Sequence, residues 1–223
     1  MSEFEKSTLS QKIADEIAMR ISKGIIQQGE RLLENDLMDS FGTSRAPIRE
    51  ALFILEKNGF AERIPRRGVF VKSYSKKELF DLYDTVYRLL EIVVKKIIQN
   101  TAENNLTKLS ELVKEMEQII QGKKVKLYFE LIEQFQLELF DLTGNLVLKD
   151  LYMRIQNQLT PFRYMSLTHS SSLEMSIEEY IEILAGIKEK DEKVALNGLH
   201  KKEMRALCIL EKVVEKKNIS KVM

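Results

Sequence analysis

The chain has 223 residues, enough for one large or two modest domains, each with its own core. Its 44% hydrophobic and 31% charged content is that of a soluble globular protein, and no apolar run approaches the roughly 18 residues of a membrane span. The formal net charge of +1 excludes a broadly basic nucleic-acid binder, so any phosphate affinity has to come from one patch.

The first ten residues, MSEFEKSTLS, lack the apolar region of a signal peptide, which points to a cytoplasmic protein. Thr8 and Gln11 have the spacing of a capping box, and Ile13, Ile17 and Ile21 with Ala14 and Ala18 form a helical stripe ending near Gly24. Leu37 and Phe41 repeat at helical spacing, as do Ile48, Leu52 and Leu55 after a turn at Gly42, so three short helices can share one small core. Lys57-Asn58-Gly59 closes the third helix. Ala61–Ile64 and Val69–Val71 then read as two strands around the tip Pro65-Arg66-Arg67-Gly68.

The third helix carries the chemistry. Ser44 stands where an N-cap belongs and Pro47 falls in the first turn, where a missing N–H costs little. Arg45 and Arg49 are four apart and stack on one face at the N-terminal end, the end that a recognition helix presents to base edges. A guanidinium that bonds guanine O6 and N7 together supplies about 1–3 kcal/mol of discrimination. At the hairpin tip, Arg66 and Arg67 suit the DNA backbone or minor groove, and Gly68 permits close approach. Between Ser44 and Lys72 seven basic residues (Arg45, Arg49, Lys57, Arg63, Arg66, Arg67, Lys72) oppose three acids (Glu50, Glu56, Glu62), a local +4.

From Ser75 the pattern is helical throughout. Ser75 and Glu78 have capping-box spacing ahead of a stripe of Leu79, Leu82, Tyr83, Val86, Leu90, Val93 and Ile97. Further helices are expected at Leu106–Gln121, Val125–Leu142, Leu146–Leu167, Ser176–Lys190 and Glu192–Lys217. Gly122, Gly144-Asn145, a polar His169–Ser172 loop and a Ser176/Glu179 capping box separate them, and Pro161 should kink the helix that contains it. Cys208, the single cysteine, lies in the apolar run ALCIL and is expected to be buried. The fold class is therefore mainly α: residues 1–74 a winged helix-turn-helix with a small β-hairpin wing, residues 75–223 an all-α bundle.

The segment GERLLENDLMDSFGTSRAPIREALFILEKNGFAERIPRRGVFV resembles the winged helix-turn-helix of the GntR family of bacterial transcription regulators. By that resemblance Ser44, Arg45 and Arg49 would contact the operator and Gly68 with its neighbouring arginines would act from the wing; Asn35 stands where many relatives have an arginine. The second half is similar to the FCD effector domain of the FadR-like branch, with FELIEQFQLELFDLTGN matching the helix that ends in a Gly-Asn turn.

Many FCD domains hold a divalent metal through one Asp or Asn and three His. This chain has only two histidines, and the family pattern places Ile132, Gln136, Tyr180 and Lys202 at the four ligand positions, so no metal or other cofactor is expected. Tyr87 replaces an arginine that relatives direct at the ligand's carboxylate, with Arg88 one place along. The effector residues implied are Tyr87, Arg88, Ile132, Gln136, Tyr180 and Lys202, with Lys202, aided by Arg88, receiving an anionic head group.

The resulting expectation is a ligand-responsive transcription regulator that binds an inverted-repeat operator as a homodimer. The alternative is a DNA-associated interaction or architectural protein without a small-molecule effector. An enzyme is not expected, for no nucleophile and base stand at recognisable spacing and only 9 glycines are present, none in a phosphate-binding loop.

Overall fold

The structure is a computed structural model that describes residues 8–100, 106–122, 124–167 and 172–219. They form two compact units, one running to Ser75 and including 157–161, the other made of the remaining residues.

The first unit holds α1 (Leu9–Ser22), β1 (Arg31–Leu32), α2 (Glu34–Phe41), α3 (Arg45–Lys57), β2 (Ala61–Ile64) and β3 (Gly68–Val71). Thr8 caps α1 by accepting a hydrogen bond from the Gln11 amide at 3.2 Å. Ile13, Ile17 and Ile21 line its buried face, and Leu37, Ile48, Leu52 and Leu55 meet them from α2 and α3 in one core. Truncating any of these fully buried leucines to alanine would cost about 2–5 kcal/mol. Gly42 ends α2 with φ 59° and its amide bonds the Met38 carbonyl, a left-handed stop that turns the chain into α3.

The sheet order is β1-β3-β2, with both pairings antiparallel. Arg31 faces Phe70, Ala61 faces Val71 and Ile64 faces Gly68. Val69 and Val71 point into the core, whereas Gly68 and Phe70 lie on the other face, the period-2 alternation of a half-buried strand. The wing therefore has three strands. Strand β1 leaves no mark in the sequence, because two residues are too few to show that alternation.

The second unit contains α4 (Lys76–Asn100), α5 (Thr107–Ile120), α6 (Val125–Leu142), α7 (Leu146–Leu167), α8 (Ser172–Lys188) and α9 (Glu192–Ile219). Gly144 at φ 63° turns the chain, and the Asn145 side chain accepts the Leu148 amide at 3.1 Å to open α7. Helix α7 continues through Pro161.

Helix α8 starts at Ser172, four residues before the expected capping box. Ser176 and Glu179 are buried within the helix, where their side chains serve packing and an ion pair rather than a cap. Of the expected His169–Ser172 loop, His169 lies outside the described residues. Cys208 is exposed, contrary to expectation: Ala206, Ile209 and Leu210 take the buried face of α9, and the 3.6-residue period turns position 208 outward.

Candidate functional site

In the first unit, α3 opens at Arg45 with Ser44 in extended geometry before it (φ −82°, ψ 173°), and the Ser44 side chain makes no capping bond. That leaves the hydroxyl exposed at the helix start. Arg45 and Arg49 are both exposed, and both turn toward one carboxylate. Arg49 Nε donates to both oxygens of Glu34 at 3.0 Å, Arg45 Nε lies 3.4 Å from Glu34, and Arg45 Nη2 donates to Asn35 Oδ1 at 3.2 Å. With side chains 54% and 63% exposed, the two arginines form surface pairs worth about 0–1 kcal/mol each. Such pairs are cheap to exchange for phosphate or base contacts, and they hold the guanidinium groups extended meanwhile.

The wing tip is exposed and basic. Arg66 has φ 64°, a left-handed conformation that costs a non-glycine residue roughly 1–3 kcal/mol, and the Arg67 amide bonds the Ile64 carbonyl at 3.0 Å. Gly68 has φ 108°, and a Cβ there would lie 3.2 Å from Arg31 Nε. Arg67 and Arg31 each place a guanidinium over the Phe70 ring, at 5.5 and 6.0 Å. Arg31 was not legible as a site residue, since the strand carrying it was not recognised. A cleft of about 280 Å³ runs between the start of α2 and the wing, lined by Arg31, Glu34, Asn35, Arg63 and Gly68 among others. Glu34 thus touches the α3 arginines and borders the wing as well.

In the second unit, Tyr87, Ile132, Gln136, Tyr180 and Lys202 are all buried. Lys202 Nζ sits 3.4 Å from the Tyr87 hydroxyl and over the rings of Tyr87 and Tyr180, at 5.2 and 5.5 Å from their centroids. Gln136 belongs to a second group: its Oε1 accepts from the Tyr152 hydroxyl at 2.6 Å and from Arg163 Nη2 at 2.5 Å. Ile132 contributes only apolar lining. Arg88 does not join the set. Its half-exposed side chain pairs with Asp84 and Glu91 on α4 and with the buried Glu203 on α9.

Two largely buried arginines carry no signal in the sequence. Arg163, on α7, bonds Gln156 and Gln136 and lies 3.5 Å from Glu133. Arg205, on α9, makes a bidentate pair with Glu179 on α8 at 2.6 and 2.8 Å. Neither had a spacing signal, because each finds its partner on a different helix. Burial, and then the Arg163 guanidinium, push the Lys202 ammonium down to about 7. Burial also holds the Tyr87 and Tyr180 phenols well above their ordinary range.

The four positions matched to the family's metal ligands do not fit a divalent cation. Ile132 has no donor atom, Gln136 Oε1 already takes two hydrogen bonds, and Lys202 is itself cationic. Among the described residues no three His, Cys, Asp or Glu side chains come together as a ligand set.

A winged helix-turn-helix carried in one chain with an all-helical unit defines a class, that of the two-part transcription regulators. The chain belongs to the GntR family of bacterial regulators with an FCD domain: the model for bacterial regulatory proteins of the gntR family matches residues 9–71 and that for the FCD domain matches residues 81–200. It is 29% identical over 182 residues to the HTH-type transcriptional regulator YdhC of Bacillus subtilis, covering 81% of each chain. It is also 28% identical to the gluconate operon transcriptional repressor of that organism, over 88% of this chain and 83% of the relative. Among solved structures the fold is similar to Escherichia coli McbR/YncC, with a TM-score of 0.74 and 21% identity over 93% and 99% of the two chains. Regulators of this family bind DNA, and FCD domains bind small-molecule effectors. No helix among the described residues is long and apolar enough to cross a membrane.

Proposed function

We propose that the protein is a ligand-responsive transcription regulator that binds an inverted-repeat operator as a homodimer in the cytoplasm. Residues 1–74 read DNA, and residues 75–223 bind the effector and dimerise. The observation that carries the reading is the pair Arg45 and Arg49, exposed at the N-terminal end of α3 with a basic wing tip in the same unit. In this reading Ser44, Arg45 and Arg49 meet base edges and phosphates in the major groove, while Arg66, Arg67 and Gly68 meet the backbone or minor groove. A two-fold protein sets two such helices on two half-sites. The effector shifts the population between arrangements that fit the operator and arrangements that do not. Kinship with a gluconate operon repressor makes gluconate the first effector to try.

Selection of bound DNA from a random library at physiological salt tests the reading. A two-fold symmetric, G-containing consensus is expected, with Arg45→Ala and Arg49→Ala each losing about tenfold or more in affinity for it. If no consensus emerges and the variants bind like wild type, the protein is a DNA-associated interaction protein and this proposal fails.

A further inference from the structure

In the first unit carboxylates hold most of the guanidinium groups. Glu16 pairs with Arg20, Glu34 with Arg45 and Arg49, and Glu56 with Arg63. Arg66 and Arg67 of the wing tip have no ion pair among the described residues, and neither has Arg31, which stands apart from the tip on β1. An unpaired surface arginine is ordinary, so its place decides what it can do.

Arg31 is exposed, while Leu32 beside it is buried. It stands opposite Phe70 in the β1–β3 ladder, on the face of the sheet turned away from the core. There its guanidinium lies 6.0 Å from the centre of the Phe70 ring, and a Cβ on Gly68 would stand 3.2 Å from its Nε and 3.3 Å from its Nη2. The ring and the bare glycine give the group a seat on the sheet. The same side chain lines the cleft between the start of α2 and the wing, with Glu34, Asn35, Arg63 and Gly68.

That cleft has a defined place against a duplex. A helix in the major groove and a wing in the adjoining minor groove are separated by one sugar-phosphate strand, so the protein surface between them faces phosphate. Glu34, which holds the α3 arginines, lies on one side of the cleft and Gly68 of the wing on the other. Of the two cations that line it, Arg63 is neutralised by Glu56 and Arg31 is not.

We propose that Arg31 is a further DNA-binding residue, which takes a phosphate of the strand that passes between the groove read by α3 and the wing. This rests on the DNA-reading role of residues 1–74 and extends it to a strand outside both the recognition helix and the wing tip. Gly68 then serves DNA binding from within the protein, by leaving room for the Arg31 guanidinium.

The test is fluorescence anisotropy on the full chain, with its selected operator and with a non-operator duplex, at salt from roughly 50 to 300 mM. Arg31→Met keeps an unbranched stem over Phe70 and removes the charge. It is expected to weaken binding to both duplexes by roughly three- to tenfold and to lower the magnitude of the salt slope by about 0.9 for each bound chain. Arg31→Lys keeps a cation and should keep the slope. Because Arg31 is exposed, both variants should melt like wild type; should Arg31→Met fail to fold, Arg31→Gln is read in its place. A slope unchanged in the folded, uncharged variant overturns the proposal, and so does a loss of affinity that Arg31→Lys shares in full with no change of slope, since that marks a role in packing alone. If Arg45→Ala loses the operator while Arg31→Met binds like wild type, only this proposal falls; a wild-type chain that binds neither duplex overturns the DNA-reading role with it.

Discussion

Glu34 deserves as much weight as the arginines it touches, since its single carboxylate engages both Arg45 and Arg49. Phosphates would compete for the same guanidinium groups, so Glu34 lowers the affinity for any DNA while keeping the two side chains aligned for a base edge. Glu34→Gln keeps a hydrogen-bond acceptor and removes the charge. Binding to non-operator DNA should then rise by roughly three- to tenfold, which is about 1 kcal/mol, while operator binding rises less. Fluorescence anisotropy with both DNAs measures this, and an unchanged specificity ratio would count against the role. Lys202 has its own signature. Its ammonium is pushed down to about 7 in the folded chain from an ordinary 10.5, so between those values the unfolded chain holds a proton that the folded chain lacks. Stability contributed by this group therefore increases as pH rises from 7 toward 10. The tyrosines facing it, Tyr87 and Tyr180, are held above that window by burial, and Arg163 and Arg205 stay charged throughout. Melting temperatures of wild type and Lys202→Met taken from pH 7 to 9 should show a rise in wild type that the variant lacks.

At the scale of elements, the buried cluster of Lys202, Tyr180 and Arg205 depends on how closely α8 meets α9. A Cβ on Gly186 would come within 2.3 Å of the Ala195 amide nitrogen, and one on Gly198 within 3.0 Å of the Glu179 carbonyl oxygen. At Gly186 the nearest atoms are backbone, so no side chain can swing aside, whereas at Gly198 the Ile183 side chain lies nearest, at 2.8 Å. Gly186→Ala should destabilise the unit by about 1–3 kcal/mol, a fall of roughly 3–10 °C in Tm by calorimetry. Much of this architecture was legible in the residues. The limits of α6 and α7 follow from apolar period and from the Gly144-Asn145 turn, and α2, α3 and the hairpin follow from Gly42, Ser44 and the alternation at Val69 and Val71. What escaped has physical causes. The Ser176/Glu179 spacing imitates a cap, yet both residues lie inside α8, Ser176 buried in the packing and Glu179 paired with Arg205 on α9, and Cys208 shares an apolar run whose period turns it outward. Arg163 and Arg205 escaped because an ion pair between helices leaves no mark in local spacing.

For the molecule as a whole, a net charge of +1 provides no general attraction to DNA, so affinity rests on a few guanidinium groups acting at short range. Each phosphate neutralised releases condensed counterions, and the logarithm of affinity falls with that of salt by about 0.9 per contact on B-form DNA. Removing one exposed wing arginine makes that rule a count of subunits. Arg67→Ala deletes one contact per chain while sparing the α3 arginines, so a protein bound as a dimer loses about two from the magnitude of its salt slope and a bound monomer about one. The base preference should stay as it was, because the wing tip positions rather than reads. Operator affinities of wild type and Arg67→Ala between 50 and 300 mM salt, roughly the range in which such slopes are linear, measure the difference. A loss near two supports two chains on one operator, and a loss near one, with selection still intact, would leave the DNA-reading role standing and remove the dimer from it.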